Sequence, residues 1–192
     1  MELKQAIQRL QRHERPRHEY GPVQRRAAVA IALHEGESGI DVLMIQRARR
    51  AGDPWSGHMG FPGGRRDAED HSNLACALRE TREELGFDLQ ASGELITELG
   101  EVNTGWRPDR PEMLVSPFVF ALHERPTFEP NYEVDEVVWF PLAFLMDRSN
   151  RHDHHWEWRG DKLVSDAYIY RGKRVWGLSL MMLDELMAAL ER

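Results

Sequence analysis

The chain has 192 residues, 41% of them apolar, and sets 25 Lys and Arg against 32 Asp and Glu for a formal net charge of −7. A domain of this length buries on the order of 70% of the surface its unfolded chain exposes, so its core needs no disulfide or structural metal, and the lone cysteine, Cys76, has no partner within the chain. The longest purely apolar stretch, 27–33, falls well short of the roughly twenty residues that span a bilayer, and the acidic balance argues against nucleic-acid polymers, which need a basic footprint.

The N-terminus has no apolar core of the kind a signal peptide needs, so a cytoplasmic location is the expectation. Leu3, Ile7 and Leu10 fall at helical spacing and predict a helix that stops before Pro16, in a lead-in spanning 1–25. The rest, 26–192, reads as one domain. Residues 27–33 and 40–45 are β-branched and apolar and flank a glycine-containing turn, which predicts a mostly buried hairpin. The stretch 49–70 is rich in Gly, Pro, Asp and Arg and reads as a functional loop.

A helix is predicted over 72–85, with Ser72 as N-cap, an apolar stripe of Leu74, Ala77, Leu78 and Leu85, and Gly86 placed to end it. Strands follow at 95–102, 113–122 and 134–140, then a hairpin of 168–170 and 174–176, and a last helix over 179–190 that buries Leu180, Leu183, Leu186, Met187 and Leu190. Strands and helices mix without regular βαβ alternation, so the expected class is α+β, or a layered α/β/α sandwich with a mixed sheet.

The charge is unevenly spread. Arg47, Arg49, Arg50, Arg65 and Arg66 precede Glu80, Glu83 and Glu84. Positions three and four apart share a helix face, so these three glutamates project together. Two unit charges 4 Å apart cost about 1 kcal/mol even at the dielectric of water. A hard divalent cation, which takes oxygen ligands, would offset that repulsion; the alternative is an ordinary solvated acidic face. The Phe61-Pro62-Gly63-Gly64 turn upstream favours the cation, because glycines let a backbone come close to a ligand or present a carbonyl to a metal.

These residues resemble a known family. Arg79, Glu80, Glu83, Glu84 and Gly86 match the second half of the Nudix box in register, with Gly64 upstream and His71 where the pattern has a glutamate; Asp70 or Glu69 is the candidate replacement. Phe61-Pro62-Gly63-Gly64-Arg65, the run from Glu133 into Trp139-Phe140-Pro141-Leu142, and Val175-Trp176-Gly177-Leu178-Ser179 are similar to the coenzyme A pyrophosphatase branch. The resemblance implies the Nudix fold and Mg²⁺- or Mn²⁺-dependent hydrolysis of a pyrophosphate bond. The substrate implied is a nucleoside diphosphate derivative, with coenzyme A or an acyl-CoA first and nucleotide sugars, dinucleotides or oxidised nucleotides as alternatives. A Nudix-like module that binds a nucleotide as a sensor is the reading of another class.

In those terms Glu83 and Glu84, with Glu80 and the carbonyl of Gly63 or Gly64, would hold the metal. Glu80 would orient or deprotonate the attacking water, and Arg79 would fix a carboxylate. Glu133 and Glu136 are candidates for a base from a later loop. Arg47, Arg65 and Arg66, with Arg49 and Arg50, could neutralise a polyanionic substrate, and Trp55 could stack on a base. His152-Asp153-His154-His155 lacks zinc-ligand spacing and reads as a hydrated loop. Nudix proteins are often dimers, and the Leu- and Met-rich last helix would serve a homodimer or a monomer core equally.

Overall fold

The computed structural model describes residues 1–16, 25–51, 55–105, 111–158 and 160–191. In chain order the elements are α1 (Leu3–Arg12), β1 (Arg25–Gly36), β2 (Gly39–Arg47), β3 (Met59–Gly60), β4 (Gly63–Arg65), α2 (Asn73–Leu85), α3 (Leu89–Ser92), β5 (Gly93–Glu98) and β6 (Val102–Asn103). They continue with β7 (Met113–Leu122), β8 (Val134–Pro141), α4 (Leu142–Met146), a 3-10 turn (Arg148–Asn150), β9 (Arg151–Trp158), β10 (Asp161–Tyr170), β11 (Lys173–Trp176) and α5 (Gly177–Glu191). No helix among the described residues is long and apolar enough to cross a membrane.

The main sheet runs β3-β2-β1-β7-β5, with β4 paired to β1, β6 to β7 and β8 to β2. It is mixed, because β1 and β7 run parallel while the other pairs are antiparallel. The period-two alternation of a strand explains how helices cover both faces. Ala27, Val29, Ile31 and Leu33 of β1 join Ala6 and Leu10 of α1 and Leu183, Leu186 and Leu190 of α5 in one buried cluster. The intervening Ala28, Ala30 and Ala32 face Cys76, Ala77 and Leu85 of α2 in the other. The result is the expected three-layer α+β arrangement with a mixed sheet between helices. The lead-in helix packs into the core of the domain, and residues 17–24 between them lie outside the described residues.

Several elements differ from the sequence reading. The β1–β2 turn is tighter than expected, because Gly36 pairs with Gly39 and leaves only Glu37 and Ser38 to turn. The stretch 49–70 holds two short strands, β3 and β4, whose partners are remote in sequence. The expected strand at 95–102 is split into β5 and β6; the β5–β7 ladder shifts register between Leu95 and Thr97, and the Leu99 N–H donates to the Pro117 carbonyl at 2.9 Å. Residues 152–155 are not a loop. They form β9, paired along its length with β10, and β11 completes a second sheet of order β11-β10-β9.

Helix α2 begins and ends where its caps dictate. The Ser72 side chain accepts from the Ala75 N–H, and Gly86 closes the helix in the left-handed region at φ 71°. Past that cap, the Glu129 and Asn131 N–H groups donate to the Leu85 and Glu84 carbonyls, both at 2.9 Å. The β7–β8 loop thereby satisfies carbonyls that the helix end leaves free. A Cβ on Gly86 would lie 2.8 Å from the Glu129 Cβ. Gly86→Ala is therefore expected to destabilise the protein by at least about 1 kcal/mol, from the left-handed backbone plus this contact; urea unfolding measures it.

Candidate active site

The site is built where β4 passes under α2. The Gly63 N–H donates to Glu84 Oε2 at 2.8 Å. A Cβ on Gly63 would meet the Ala28 carbonyl oxygen at 2.3 Å, and one on Gly64 would fall 2.5 Å from Glu80 Oε1. Gly63 is thus required by its close approach to the β1 backbone, whereas a side chain at Gly64 would displace the Glu80 carboxylate. The strand brings the Gly63-Gly64 backbone against Glu80 and Glu84 together, while Glu83, one turn from Glu80, is exposed.

Arg79 organises the acids. Its Nε and Nη2 donate to Asp70 Oδ1 and Oδ2 at 3.0 and 2.9 Å, and its Nη2 also reaches the Arg65 carbonyl at 3.2 Å. Its Nη1 lies 3.0 Å from both Glu80 Oε1 and Glu83 Oε2. Asp70 is only 6% exposed, whereas Glu69 and His71 are exposed. Of the two acids considered for the box position, Asp70 is the one that Arg79 grips.

Their surroundings push these carboxyls in opposite directions. The Arg79 hydrogen bonds hold Asp70 down at about 2, against the opposing effect of burial. Burial pushes Glu84 up to about 8; the charges of Glu80 and Glu133 add to this, and the Gly63 N–H and Arg47 oppose it. Glu80 is raised for the same first reason, with Arg79 opposing. Burial pushes the Cys76 thiol up to about 12, and its Sγ lies 3.5 Å from the Gly64 carbonyl, so Cys76 stays a protonated packing group and not a nucleophile.

A buried carboxylate with so little positive charge near it fits a hard cation. Glu84 is 4% exposed, and Glu80, Glu83 and the Gly64 carbonyl offer further oxygen donors of the type Mg²⁺ or Mn²⁺ takes. Arg79 pairs with Glu80 and Glu83, and no three His, Cys, Asp or Glu among the described residues converge on one cation position.

The fold separates the other candidates. Arg47, at the end of β2, lies near enough to Glu84 to favour its charged form. Arg65 and Arg66 lie at the opposite end of the site, where Arg66 Nε and Nη2 donate to the Asp70 carbonyl and Nη1 to Asn73 Oδ1. Trp55 packs edge-on against His58 at 6.0 Å, and His58 against Trp176 at 5.2 Å; residues 52–54 beside it lie outside the described residues. Glu136, on β8, is engaged by Lys173 of β11. Glu133 is the later-loop acid whose charge reaches Glu84, its backbone tied down by the Ala48 N–H at 2.8 Å and its carboxylate 3.6 Å from Arg50. The tether behind this, the Asn131 and Glu129 bonds to the end of α2, was missed in the sequence; Gly86 was its only local sign.

The burial of Glu84 has a stability consequence with a definite sign. Its folded pKa of about 8 lies above the model-peptide value of 4.5. The stability it contributes is therefore full below 4.5 and is lost as the pH rises through about 8. Glu84→Gln removes this titration, so in EDTA the variant should melt progressively higher than wild type from pH 5 to 9, by at least about 3 °C at the alkaline end. Added Mg²⁺ should raise the wild-type midpoint and leave the variant's unchanged. Differential scanning calorimetry across this pH range reads both effects; a pH-independent difference contradicts the assignment.

Comparison with known proteins places this architecture. A family model described as NUDIX domain matches residues 24–159. The chain is 31% identical over 165 residues to Nudix hydrolase 15, mitochondrial, of Arabidopsis thaliana, covering 81% of this chain and 55% of that protein. It is 31% identical over 164 residues to the mitochondrial coenzyme A diphosphatase of Homo sapiens, covering 82% and 66%, and 34% identical over 125 residues to a peroxisomal coenzyme A diphosphatase of Caenorhabditis elegans, covering 63% and 51%. The chain spans 51% to 66% of the length of these three relatives. Among solved structures, a MutT/nudix family protein from Enterococcus faecalis superposes with a TM-score of 0.55 at 19% identity, over 100% of this chain and 71% of that one, a likeness of fold. Since the family match takes in both the Gly63-Gly64 strand and the acidic helix it holds, the chain belongs to the Nudix family.

Proposed function

We propose that this chain is a divalent-metal-dependent pyrophosphohydrolase that cleaves coenzyme A or an acyl-CoA to 3′,5′-ADP and the 4′-phosphopantetheine product. The observation that carries the chemistry is the Glu84 carboxylate, buried and held by the Gly63 N–H beside Glu80. The choice of substrate is supported by the coenzyme A diphosphatases among the relatives.

Glu80, Glu83, Glu84 and the Gly64 carbonyl would hold the cation. When bound, it supplies neutralisation of the phosphoryl oxygens and a lowered pKa for adjacent water. The chain's own groups do the rest. Arg79 fixes the carboxylates through Asp70. Glu80, raised by burial, is positioned to take the proton of the water that attacks phosphorus, while the anhydride P–O bond breaks and the leaving phosphate takes the electron pair. Glu133 is the second candidate base, because its charge reaches Glu84. Arg47, whose charge reaches Glu84, would meet the negative charge of the pyrophosphate.

The test is purified protein with Mg²⁺ or Mn²⁺ against coenzyme A, an acyl-CoA, a nucleotide sugar, a dinucleotide and an oxidised nucleoside triphosphate. Coenzyme A species should be hydrolysed with the highest kcat/KM. A preference for another member moves the substrate and keeps the chemistry; nucleotide binding with no turnover replaces the enzyme by a sensor. Glu83→Gln and Glu84→Gln should each lower kcat by at least about a thousandfold with unchanged far-ultraviolet circular dichroism, and wild-type activity in either removes the metal assignment.

A further inference from the structure

A cavity of about 500 Å³ opens at the ends of β1, β4 and β7, lined by Arg25, Arg26, Arg65 and Arg66 together with Asp67 and Asp70. The β1–β4 register brings these arginines together: Ala27 pairs with Arg65, which sets Arg26 opposite Arg66, and the Arg66 N–H donates to the Arg26 carbonyl at 2.9 Å.

The acids at this cavity are already committed. Both Asp70 oxygens face Arg79, and the Asp67 carboxylate lies 3.7 Å from the same guanidinium. Arg26 is paired with Glu101 at 2.8 Å, and Arg15 approaches Glu101 at 3.6 Å. Among the described residues the Arg66 guanidinium donates only to uncharged acceptors, the Asp70 carbonyl at 3.1 and 3.0 Å and Asn73 Oδ1 at 3.3 Å. It is thereby oriented without being neutralised. Arg25 and Arg65 have no carboxylate within ion-pairing distance among the described residues. Three uncompensated guanidiniums around one concavity, in a chain of net charge −7, repel one another unless an anion joins them. Their planar donor forks match a phosphate.

Its position ties the cavity to the carboxylate cluster. Arg66 is anchored at Asn73, in the first turn of α2, and Glu80 lies about 10 Å further along the helix axis at 1.5 Å per residue. An anion in the cavity and a pyrophosphate at the glutamates would thus sit on one side of a single helix, at a separation a nucleotide derivative can bridge. We propose that this cavity binds a phosphate monoester that the substrate carries away from its scissile pyrophosphate. The proposal rests on the pyrophosphohydrolase reading, and it predicts selection for substrates bearing such a phosphate over those lacking it.

The test separates the two readings by using ligands that need no turnover. Calorimetric titration of the full chain with 3′,5′-ADP and with 5′-AMP, which differ by one phosphate monoester, should show the bisphosphate bound at least about tenfold more tightly. Arg25→Ala with Arg65→Ala should bring the two affinities to within about twofold, and the milder Arg25→Gln with Arg65→Gln should do the same if the alanine pair melts early. Equal affinities in wild type, or an unchanged preference in the folded double variant, overturns the proposal. So does inorganic phosphate that binds as tightly as 3′,5′-ADP, because the cavity would then read free phosphate. If the preference holds while no pyrophosphate substrate is hydrolysed, the enzyme reading fails and the cavity assignment stands.

Discussion

The site depends on one close approach, that of the β4 backbone to helix α2. A methyl group on Gly63 would run into the Ala28 carbonyl of β1, and one on Gly64 would push the Glu80 carboxylate from its place. The same economy of volume holds beneath the helix, where β1 presents only alanines, Ala28, Ala30 and Ala32, to Cys76 and Ala77. Small residues on both surfaces let α2 settle onto the sheet. That descent takes Glu84 out of water and brings its oxygen within reach of a backbone N–H.

Burying acids has an electrostatic cost, and the chain meets it unequally. Asp70 has a guanidinium locked to both oxygens and stays ionised far below neutrality. Glu84 has one N–H and the more distant Arg47, and burial wins. Two carboxyls of one small site are thereby held in different states, one ionised and locked to Arg79, the other pushed toward keeping its proton near neutral pH. A cation bound at Glu84, as proposed, would release a proton, and its affinity would rise with pH over the range in which Glu84 titrates.

Local signals carried much of the fold into the sequence. The caps Ser72 and Gly86, the unbroken apolar runs of β1 and β2, and the apolar stripe of α5 all depend on residues close to one another in the chain. The elements that escaped are those defined by a remote partner. β3 and β4 are too short to show a period and exist because β2 and β1 hydrogen-bond them. β9 is a polar His-Asp-His-His run that is a strand only because β10 pairs with it. The site divides the same way. The common face of Glu80, Glu83 and Glu84 follows from helical spacing, but the choice of Asp70 over Glu69 is made by burial against Arg79. The contrast between Glu133 and Glu136 is made by a loop docked on the end of α2 and by Lys173 from another sheet.

The arginines show how a linear cluster becomes two sites. Arg47 and Arg65 are near one another in sequence, yet β2 delivers Arg47 to the Glu84 end of the helix and β4 delivers Arg65 and Arg66 toward its first turn, where Arg25 and Arg26 of β1 join them. Net charge therefore says little about what the site attracts. The deficit of −7 belongs to the whole surface, whereas arginines gather at the first turn of a helix whose later turns carry Glu80, Glu83 and Glu84, with the charge of Arg47 acting on Glu84 at the far end. An extended polyanion laid along α2 would meet attraction at the arginines and repulsion at the glutamates, which a bound cation would relieve. On the proposed reading, affinity for such a ligand and dependence on a metal would be two consequences of one charge pattern.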